Sequence, residues 1–422
     1  MKKILITTTG LESVGQPGGI SAYVHGLATM LSDKGFPVVV FFFNESSEWK
    51  LNPNVPYTIR FFQIPAEYRK EKDFALLVLG AINEMMPDVI INNDVSYLSG
   101  FWPVLPNHIV KISVMHGFHK GTTGTNFGLQ GKLACYNHEY VDWIICQNNQ
   151  MAIDAAKKYG VPSNKLLCIS QTALGELQGD DLIAKGKPNP IKIICACGGG
   201  KSKGGTVMYK IAKRLLQSDV DFELTWCLPV PDSWKKELNS HKITFYEKLS
   251  HSEFMKRMQE SHVAIIPTTM DSGPLLVVEA LNCGTIPVCN NLKESAIPDL
   301  IEHGINGFRI NDNNIDSYIE TIQSLVSSHH LINEVSHTAS DYYFSNLCNK
   351  SFVEKFIDLF EQKKSSIHSR SLTDNDVVCF HLHNIVNEKK ISLKRLLNKL
   401  FCLFEYVVTY ACYRKIVNLF VK

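Results

Sequence analysis

The chain has 422 residues, more than one hydrophobic core usually serves, and this length predicts two domains. Hydrophobic residues make up 45% and charged residues 20%, as in water-soluble globular proteins, and a net charge of +2 gives no reason to expect nucleic acid as a partner. The twelve cysteines include no CxxC pair, which favours reduced, buried thiols over a disulfide or metal framework. The apolar run 4–6 is too short for a signal peptide, so we expect a cytoplasmic protein.

The first half of the chain alternates short apolar runs with longer amphipathic ones. The short runs lack strict alternation, as strands buried on both faces of a parallel sheet do. Between the first two, apolar residues recur at helical spacing up to Gly35, which marks the expected helix end. The repeated strand, helix, strand order predicts a doubly wound, Rossmann-like α/β domain over residues 1–178. The predicted strands are 3–8, 37–43, 88–92, 109–115, 143–146 and 166–169.

Two features of this half are candidates for ligand binding. Gly15, Gly18 and Gly19 lie between the first strand and the first helix, where glycines let a ligand approach the backbone and the helix start offers N–H groups to an anion or a hydroxyl. His116 directly follows the strand 109–115, at the edge where ligands of open α/β sheets collect. A common glycine turn and a histidine that caps a strand end are the structural alternatives.

The second half repeats the pattern after a polar stretch, 179–190, which we interpret as a linker. It predicts a second Rossmann-like domain over residues 191–341. Two such domains joined by a linker predict a cleft between them, a usual place for a small-molecule site. The predicted strands are 191–197, 222–227, 242–246, 262–267, 285–289 and 307–310.

A glycine- and lysine-rich loop follows the first strand of this second domain. Gly199, Gly200, Lys201 and Lys203 are suited to hold a diphosphate through backbone N–H groups and ammonium charge. The loop is not a Walker A motif, because GxxxxGK[ST] is absent. A solvated, flexible turn is the structural alternative.

The segment 267–288 contains the second group of candidates. A helix is expected from Pro274, a residue suited to the first helical position, to Gly284. Asp271 would then lie just before the helix and Glu279 about two turns along it, where carboxylates can bind sugar and ribose hydroxyls. The N–H groups near Ser272, Gly273 and Leu275 would remain for phosphate. An N-terminal cap at Asp271 and a solvated Glu279 are the structural alternatives.

The sequence from Asp271 to Glu279, followed by ALNCGTIPV, resembles the signature of the retaining glycosyltransferases of family 4, which have the GT-B fold. That signature is a Glu, seven intervening residues and a second Glu. The resemblance covers roughly residues 1–363 and includes the GGISAYVHGLATMLSDKGFPVVV start, the lysine loop and IPDLIEHGINGFRI. It implies transfer of a hexose from a nucleotide diphosphate sugar to a glycan or lipid-linked glycan, as in surface polysaccharide biosynthesis. It also implies retained anomeric configuration, with no metal or other cofactor.

The resemblance assigns a role to each candidate residue. Glu279 would hold the donor ribose, Asp271 the hydroxyls of the donor sugar, and the N–H groups of residues 272–275 the diphosphate. His116 would lie near the transferred sugar.

The remaining candidates would serve the phosphates and the departing group. Gly18 and Gly19 would face the phosphates or the acceptor. Without a metal, preorganised cations and N–H dipoles must stabilise the negative charge on the departing diphosphate. Lys203 is the candidate cation, and Lys201 is a second.

Three departures from the family pattern keep other functions open. Asp271 replaces Glu, Gly198 stands where the family has Arg, and Gln171-Thr-Ala replaces Asn-Gly. A catalytically inactive relative that binds sugar or acts as a scaffold is therefore an alternative. A nucleotide-sugar epimerase of the same architecture is a further one, less compatible with the signature.

The C-terminal region is predicted to be helical. Residues 342–363 match the family's closing helix, which returns to the first domain, and 364–422 form a linker and a helical extension. Its last part, 389–422, carries eight Lys or Arg and one acid, Glu405. The apolar stretch 400–413 is too short to span a bilayer. A helix on an anionic membrane surface, or one packed on protein, fits this pattern.

Overall fold

The computed structural model describes residues 1–14, 18–44, 54–64, 71–93, 95–117, 131, 134–135, 137–173, 175–177 and 185–363. The chain divides into two compact units. The first contains Met1–Ile169 and the segment from Val353 onward, and the second contains Ser170–Phe352. Residues 178–184, within and beside the predicted linker, and the whole predicted extension 364–422 lie outside the described residues.

The first unit is built on a seven-stranded parallel sheet in the order β3-β2-β1-β4-β5-β6-β7. Its central strands are buried on both faces, as their Val- and Ile-rich sequences predict. The strands are β1 Ile4–Thr8, β2 Val38–Asn44, β3 Thr58–Gln63, β4 Val89–Asn93, β5 Val110–Met115, β6 Trp143–Cys146 and β7 Leu166–Cys168.

One strand of this sheet, β3, was missed by the sequence prediction. β3 is the edge strand next to β2, and most of its side chains are partly or fully exposed. Thr58, Arg60 and Gln63 interrupt its apolar residues, so it lacks the continuous apolar run that marks the central strands.

The helices of the first unit cover the sheet. Helix α1 buries Tyr23, Val24, Leu27 and Leu31, four of the apolar residues at helical spacing before Gly35. Gly35 follows α1 at φ 86, a left-handed conformation that suits glycine. The helices are α1 Gly19–Asp33, α2 Glu71–Met85, α3 Ser96–Phe101 and α4 Asn149–Tyr159.

Residues 360–363, the last ones that the structure describes, are bound to the first unit by hydrogen bonds and an ion pair. The Lys2 ammonium donates to the Phe360 carbonyl at 2.5 Å. The Trp143 indole N–H donates to the Gln362 carbonyl at 2.9 Å, and Lys363 pairs with buried Asp142 at 2.8 Å. These contacts hold residues 360–363 beside the amino ends of the strands.

The second unit has a six-stranded parallel sheet in the order β10-β9-β8-β11-β12-β13. All six strands lie where the sequence places them: β8 Ile191–Ala196, β9 Phe222–Cys227, β10 Ile243–Tyr246, β11 Val263–Ile266, β12 Ile286–Asn290 and β13 Phe308–Ile310. Two parallel-sheet α/β units therefore confirm the predicted fold class.

The helices of the second unit alternate with these strands. The segment 342–363 was predicted as one helix, but the structure divides it. Helix α11 (His329–Asn346) ends within this segment, and helix α12 (Asn349–Ile357) begins three residues later. Among the described residues, no helix combines the length and hydrophobicity required to cross a membrane. The helices are α5 Gly205–Leu216, α6 Asp232–Glu237, α7 His251–Glu260, α8 Leu275–Asn282, α9 Ile297–Leu300, α10 Ile315–Ser327, α11 His329–Asn346 and α12 Asn349–Ile357.

Each sheet has a topological switch point beside its first strand. In the second unit, β8 pairs with β9 on one side and with β11 on the other. Successive strands are therefore added outward on one side of β8 up to β10, and then on its other side from β11. In the first unit, β1 has the same position between β2 and β4. Ligands of open α/β sheets bind in the crevice beyond the carboxyl ends of the strands at such a point.

Two glycines let the loop after β8 pass close to neighbouring backbone. Gly204 has φ 78, and a Cβ on it would lie 1.9 Å from the Pro267 carbonyl oxygen. A Cβ on Gly205 would lie 2.1 Å from the Gly198 carbonyl oxygen. Only residues without a side chain permit these approaches.

Substitution of Gly204 by Ala should therefore destabilise the protein, whereas Gly200→Ala should not. Left-handed strain at a non-glycine residue costs about 1–3 kcal/mol, and the clash with Pro267 adds to it. We expect the strain alone in Gly204→Ala to lower the melting temperature by roughly 2–12 °C, at about 2–4 °C per kcal/mol. A Cβ on Gly200 meets no atom within 4 Å. Equal melting temperatures for both variants, measured by circular dichroism, would contradict this packing.

Candidate functional site

The loops that follow β8 and β11 face each other at the switch point of the second unit. The backbone N–H groups of Thr269 and Met270 both donate to the Ser202 carbonyl, at 2.9 and 3.1 Å. The Thr269 hydroxyl donates to the Lys201 carbonyl at 2.9 Å. Backbone contacts therefore join the lysine loop and the segment that contains Asp271.

Lys203 and Asp271 form an ion pair across these two loops. The Lys203 side chain is 58% exposed, whereas that of Asp271 is 16% exposed. Asp271 is not an N-terminal cap of α8, since Pro274 occupies that position and no side chain caps the helix. The helix begins at Leu275, one residue later than predicted. Two residues that were predicted separately for diphosphate and sugar are thus in direct contact.

The other residues of the lysine loop are open to solvent. Gly199, Gly200 and Lys201 are exposed, while Gly198 is partly buried. A Cβ on Gly198 would lie 3.2 Å from the Pro229 carbonyl oxygen. The backbone near Pro229 thus leaves little room for a side chain at Gly198, and Arg at this position would require Pro229 to move.

The turn before α8 is held from two sides. The Gln171 amide donates to the Gly273 carbonyl at 2.5 Å, and the Ala296 N–H donates to the Ser272 carbonyl at 2.9 Å. With both carbonyls engaged, the backbone orientation of the turn is set. The first backbone contact of α8 is from the Val277 N–H to the Pro274 carbonyl, at 3.0 Å. The N–H groups of Leu275 and Leu276 come before it, at the start of the helix, where N–H groups can attract an anion.

Glu279 is the buried carboxylate of this site. It is 5% exposed, and its Oε1 lies 2.9 Å from His251 Nε2. A solvated position on the helix surface is thereby excluded. A buried carboxylate needs a charged or hydrogen-bonding partner, and His251 supplies one from the first position of α7. The His251 side chain is 39% exposed, so the pair reaches the surface at the carboxyl edge of the sheet.

His251 and Gln171 are site residues that the sequence analysis did not identify. Ser250 and Glu253 form a capping box, a local sequence signal that places His251 at a helix start. Gln171 was noted only as a departure from the family's Asn-Gly. Asn282 helps to place the segment near Gln171, because its side-chain oxygen accepts the Leu177 N–H at 3.2 Å.

The first unit contains the remaining predicted residues. His116 follows β5, is half-buried, and places Nε2 3.0 Å from Asn93 Oδ1 at the end of β4. The Tyr23 ring meets the His116 ring edge-on, with centroids 4.8 Å apart. Burial lowers the pKa of His116 to about 3. His116 is therefore a neutral hydrogen-bonding group at physiological pH, and Asn93 is a partner that the sequence analysis missed.

Gly18 and Gly19 lie at the start of α1. Gly18 is the N-terminal cap residue, and its carbonyl accepts the Ala22 N–H at 2.9 Å. Both glycines are exposed. Gly15, the other glycine of this predicted loop, lies outside the described residues. The structure thus places His116 with Asn93 and Tyr23, and it places Lys203 with Asp271 and Glu279 with His251.

The low pKa of His116 predicts a specific contribution to acid sensitivity. An unfolded histidine takes up a proton near pH 6.5, whereas folded His116 does so only near pH 3. The unfolded state therefore binds more protons between these values, and stability falls as the pH decreases through this window. Between pH 7.5 and pH 5, we expect the melting temperature of His116→Gln to fall less than that of the unmodified protein. An equal or larger fall in the variant would show that His116 titrates normally.

Two models of protein families match parts of the chain. The family model for Glycosyltransferase Family 4 matches residues 17–171, and the model for Glycosyl transferases group 1 matches residues 230–341. No curated protein matches the chain in sequence.

Several solved structures are similar in fold. A variant of S. aureus TarM in complex with fondaparinux, alpha-GlcNAc-glycerol and UDP is 12% identical, with a TM-score of 0.68 over 86% of this chain and 100% of that one. Anabaena Alr3699/HepE in complex with UDP is 13% identical, with a TM-score of 0.65 over 85% and 99%. WaaG, a glycosyltransferase involved in lipopolysaccharide biosynthesis, is 11% identical, with a TM-score of 0.61 over 85% and 99%. At these identities the likeness concerns the fold. Together with the two family models, it shows that the chain belongs to the GT-B glycosyltransferases of the family 4 type.

Proposed function

We propose that the protein is an active, retaining hexosyltransferase that moves a hexose from a nucleotide diphosphate sugar to a glycan or lipid-linked glycan acceptor. The observation that carries this proposal is the pairing of buried Glu279 with His251 at the carboxyl edge of the second sheet. A carboxylate withdrawn from water and fixed in direction is suited to bind the hydroxyls of a ribose. Surface polysaccharide biosynthesis is the process in which we place this reaction.

Uridine diphosphate sugars are the donors that we propose to test first. The TarM variant was solved with UDP, and Alr3699/HepE was solved with UDP-glucose. In our proposal, Glu279 binds the ribose and the N–H groups of residues 272–275 meet the diphosphate. Asp271 binds hydroxyls of the sugar, with a side chain one methylene shorter than the family's Glu.

Stabilisation of the departing diphosphate is the main catalytic task that we assign to the lysine loop. Bond cleavage leaves negative charge on the phosphate oxygens, which fixed cations and N–H dipoles stabilise without reorganisation. We assign this role to Lys203, with Lys201, Gly199 and Gly200 beside it, and propose a reaction without metal. We expect Lys203→Ala to reduce the rate of transfer while leaving the fold intact.

At His116 in the first unit, we propose the binding of uncharged hydroxyl groups. A neutral His116 can hydrogen-bond to a hydroxyl but gives no ionic attraction to phosphate. Gly18 and Gly19 leave exposed backbone at the start of α1 for phosphate or acceptor. We also propose that residues 389–422, which lie outside the described residues, contact an anionic membrane and bring the enzyme to a lipid-linked acceptor. We propose a cytoplasmic location for the same reaction.

The first experiment is a thermal unfolding screen with UDP, GDP, ADP, dTDP and their hexose derivatives. A ligand at 100 times its dissociation constant adds about 2.7 kcal/mol to stability, equivalent to roughly 5–10 °C. We expect one base to produce such a shift and Glu279→Ala to remove it. No shift with any nucleotide would contradict the proposal. A shift without transfer to any acceptor or to water would instead support an inactive relative that binds sugar nucleotides.

His251 offers a more specific test of the ribose site. A hydrogen bond to a charged group contributes about 1.5–3 kcal/mol when buried, and less at this partly exposed position. We expect His251→Ala to raise the donor KM roughly 5- to 30-fold, with a smaller effect on kcat. The His251→Gln variant, whose side-chain amide can also donate a hydrogen bond, should retain part of the affinity that His251→Ala loses.

A matched control for this test is available on α11. His330 pairs with Glu334 at 3.4 Å, and both side chains are mostly exposed. His330→Ala also removes a histidine–glutamate pair but should leave the donor KM unchanged. Similar changes in KM for both variants, measured by initial rates, would remove His251 from the site.

A further inference from the structure

The ion pair between Lys203 and Asp271 joins two groups that the proposed function assigns to different parts of the donor. Lys203 would bind the diphosphate, and Asp271 would bind the sugar. In the structure, the Lys203 ammonium donates to Asp271 Oδ2. Each group therefore already has a partner in the protein before any ligand binds.

Backbone packing brings this pair together. Lys203 follows Ser202, whose carbonyl accepts the N–H groups of Thr269 and Met270 directly before Asp271. Lys203 also precedes Gly204, which approaches the Pro267 carbonyl closely. The two side chains leave adjoining, fixed backbone segments, so their pairing is a consequence of the loop structure.

The two members of the pair differ in their freedom to move. The Asp271 side chain is 16% exposed, while that of Lys203 is 58% exposed. The long, solvated lysine can turn away to another anion at little cost, whereas the short carboxylate stays in place. A diphosphate that binds at the lysine loop must therefore compete with Asp271 for the same ammonium group.

We propose that Asp271 controls the affinity of the enzyme for the departing nucleoside diphosphate. This inference rests on the proposed function. With the complete donor, sugar hydroxyls occupy Asp271 and leave Lys203 to the diphosphate. After the sugar has been transferred, Asp271 binds Lys203 again and weakens the hold on the product. The pair thereby favours the intact donor over the free nucleoside diphosphate.

The test is a comparison of dissociation constants, measured by isothermal titration calorimetry with the full chain. The ligands are the nucleoside diphosphate with the largest shift in the thermal screen and its hexose derivative. We expect Asp271→Asn to bind the nucleoside diphosphate roughly two- to fivefold more tightly than the unmodified protein, as expected for loss of an exposed ion pair. The preference for the intact donor should decrease at the same time.

Two further variants make the result specific. In a Lys203→Ala background, Asp271→Asn should no longer tighten binding, because no ammonium group is released. Asp316→Asn is the matched control, since Asp316 pairs with Arg214 at 3.2 Å on the surface of the same unit. It removes the same charge from a more exposed ion pair of this unit, and we expect no change in affinity.

The outcomes separate this inference from the proposed function. Unchanged or weaker binding of the nucleoside diphosphate by Asp271→Asn would overturn the inference and leave the proposed donor site intact. Equal tightening in the Lys203→Ala background, or in Asp316→Asn, would overturn it too, because the effect would then be one of overall charge. Absence of nucleotide binding by the unmodified protein would overturn the proposed function and the inference with it.

Discussion

The close backbone contact between the loops after β8 and β11 is the constraint on which the site of the second unit depends. Gly204 approaches the Pro267 carbonyl without an intervening side chain, and the Ser202 carbonyl accepts two N–H groups from the facing loop. At a switch point, loops on the two sides of a strand normally diverge and leave a crevice. Here backbone hydrogen bonds join the two loops, and Lys203 pairs with Asp271 across them.

Burial of a single carboxylate sets the other half of the site. Helix α8 packs into the core through apolar residues around most of its circumference, and Glu279 lies among them. A charge in this position is stable only with a partner that donates hydrogen bonds. His251 provides it from the first residue of α7. The same pairing that makes burial tolerable also directs the carboxylate to the edge of the sheet where ligands bind.

Local sequence patterns predicted most of the fold, because parallel strands buried on both faces have continuous apolar sequences. Every strand of the second sheet and six of the first could be located in this way. β3 could not, because an edge strand with Thr58, Arg60 and Gln63 exposes much of its surface and loses the apolar signal. The division between α11 and α12 was also missed, since apolar spacing continues through the break at residues 347–348.

The sequence by itself determined every strand except β3, the family, the positions of Lys203 and Asp271 in loops that follow strands, and the position of Glu279 on the helix after Asp271. These features follow from the spacing of residues close together in the sequence, which does not depend on the tertiary structure. The tertiary structure alone decided that Lys203 pairs with Asp271, that His251 supports Glu279, that Gln171 holds the Gly273 carbonyl, and that Asn93 contacts His116. Each of these contacts joins residues separated by 23 to 102 positions. Such contacts depend on how the strands are ordered in the sheet, which no local pattern records.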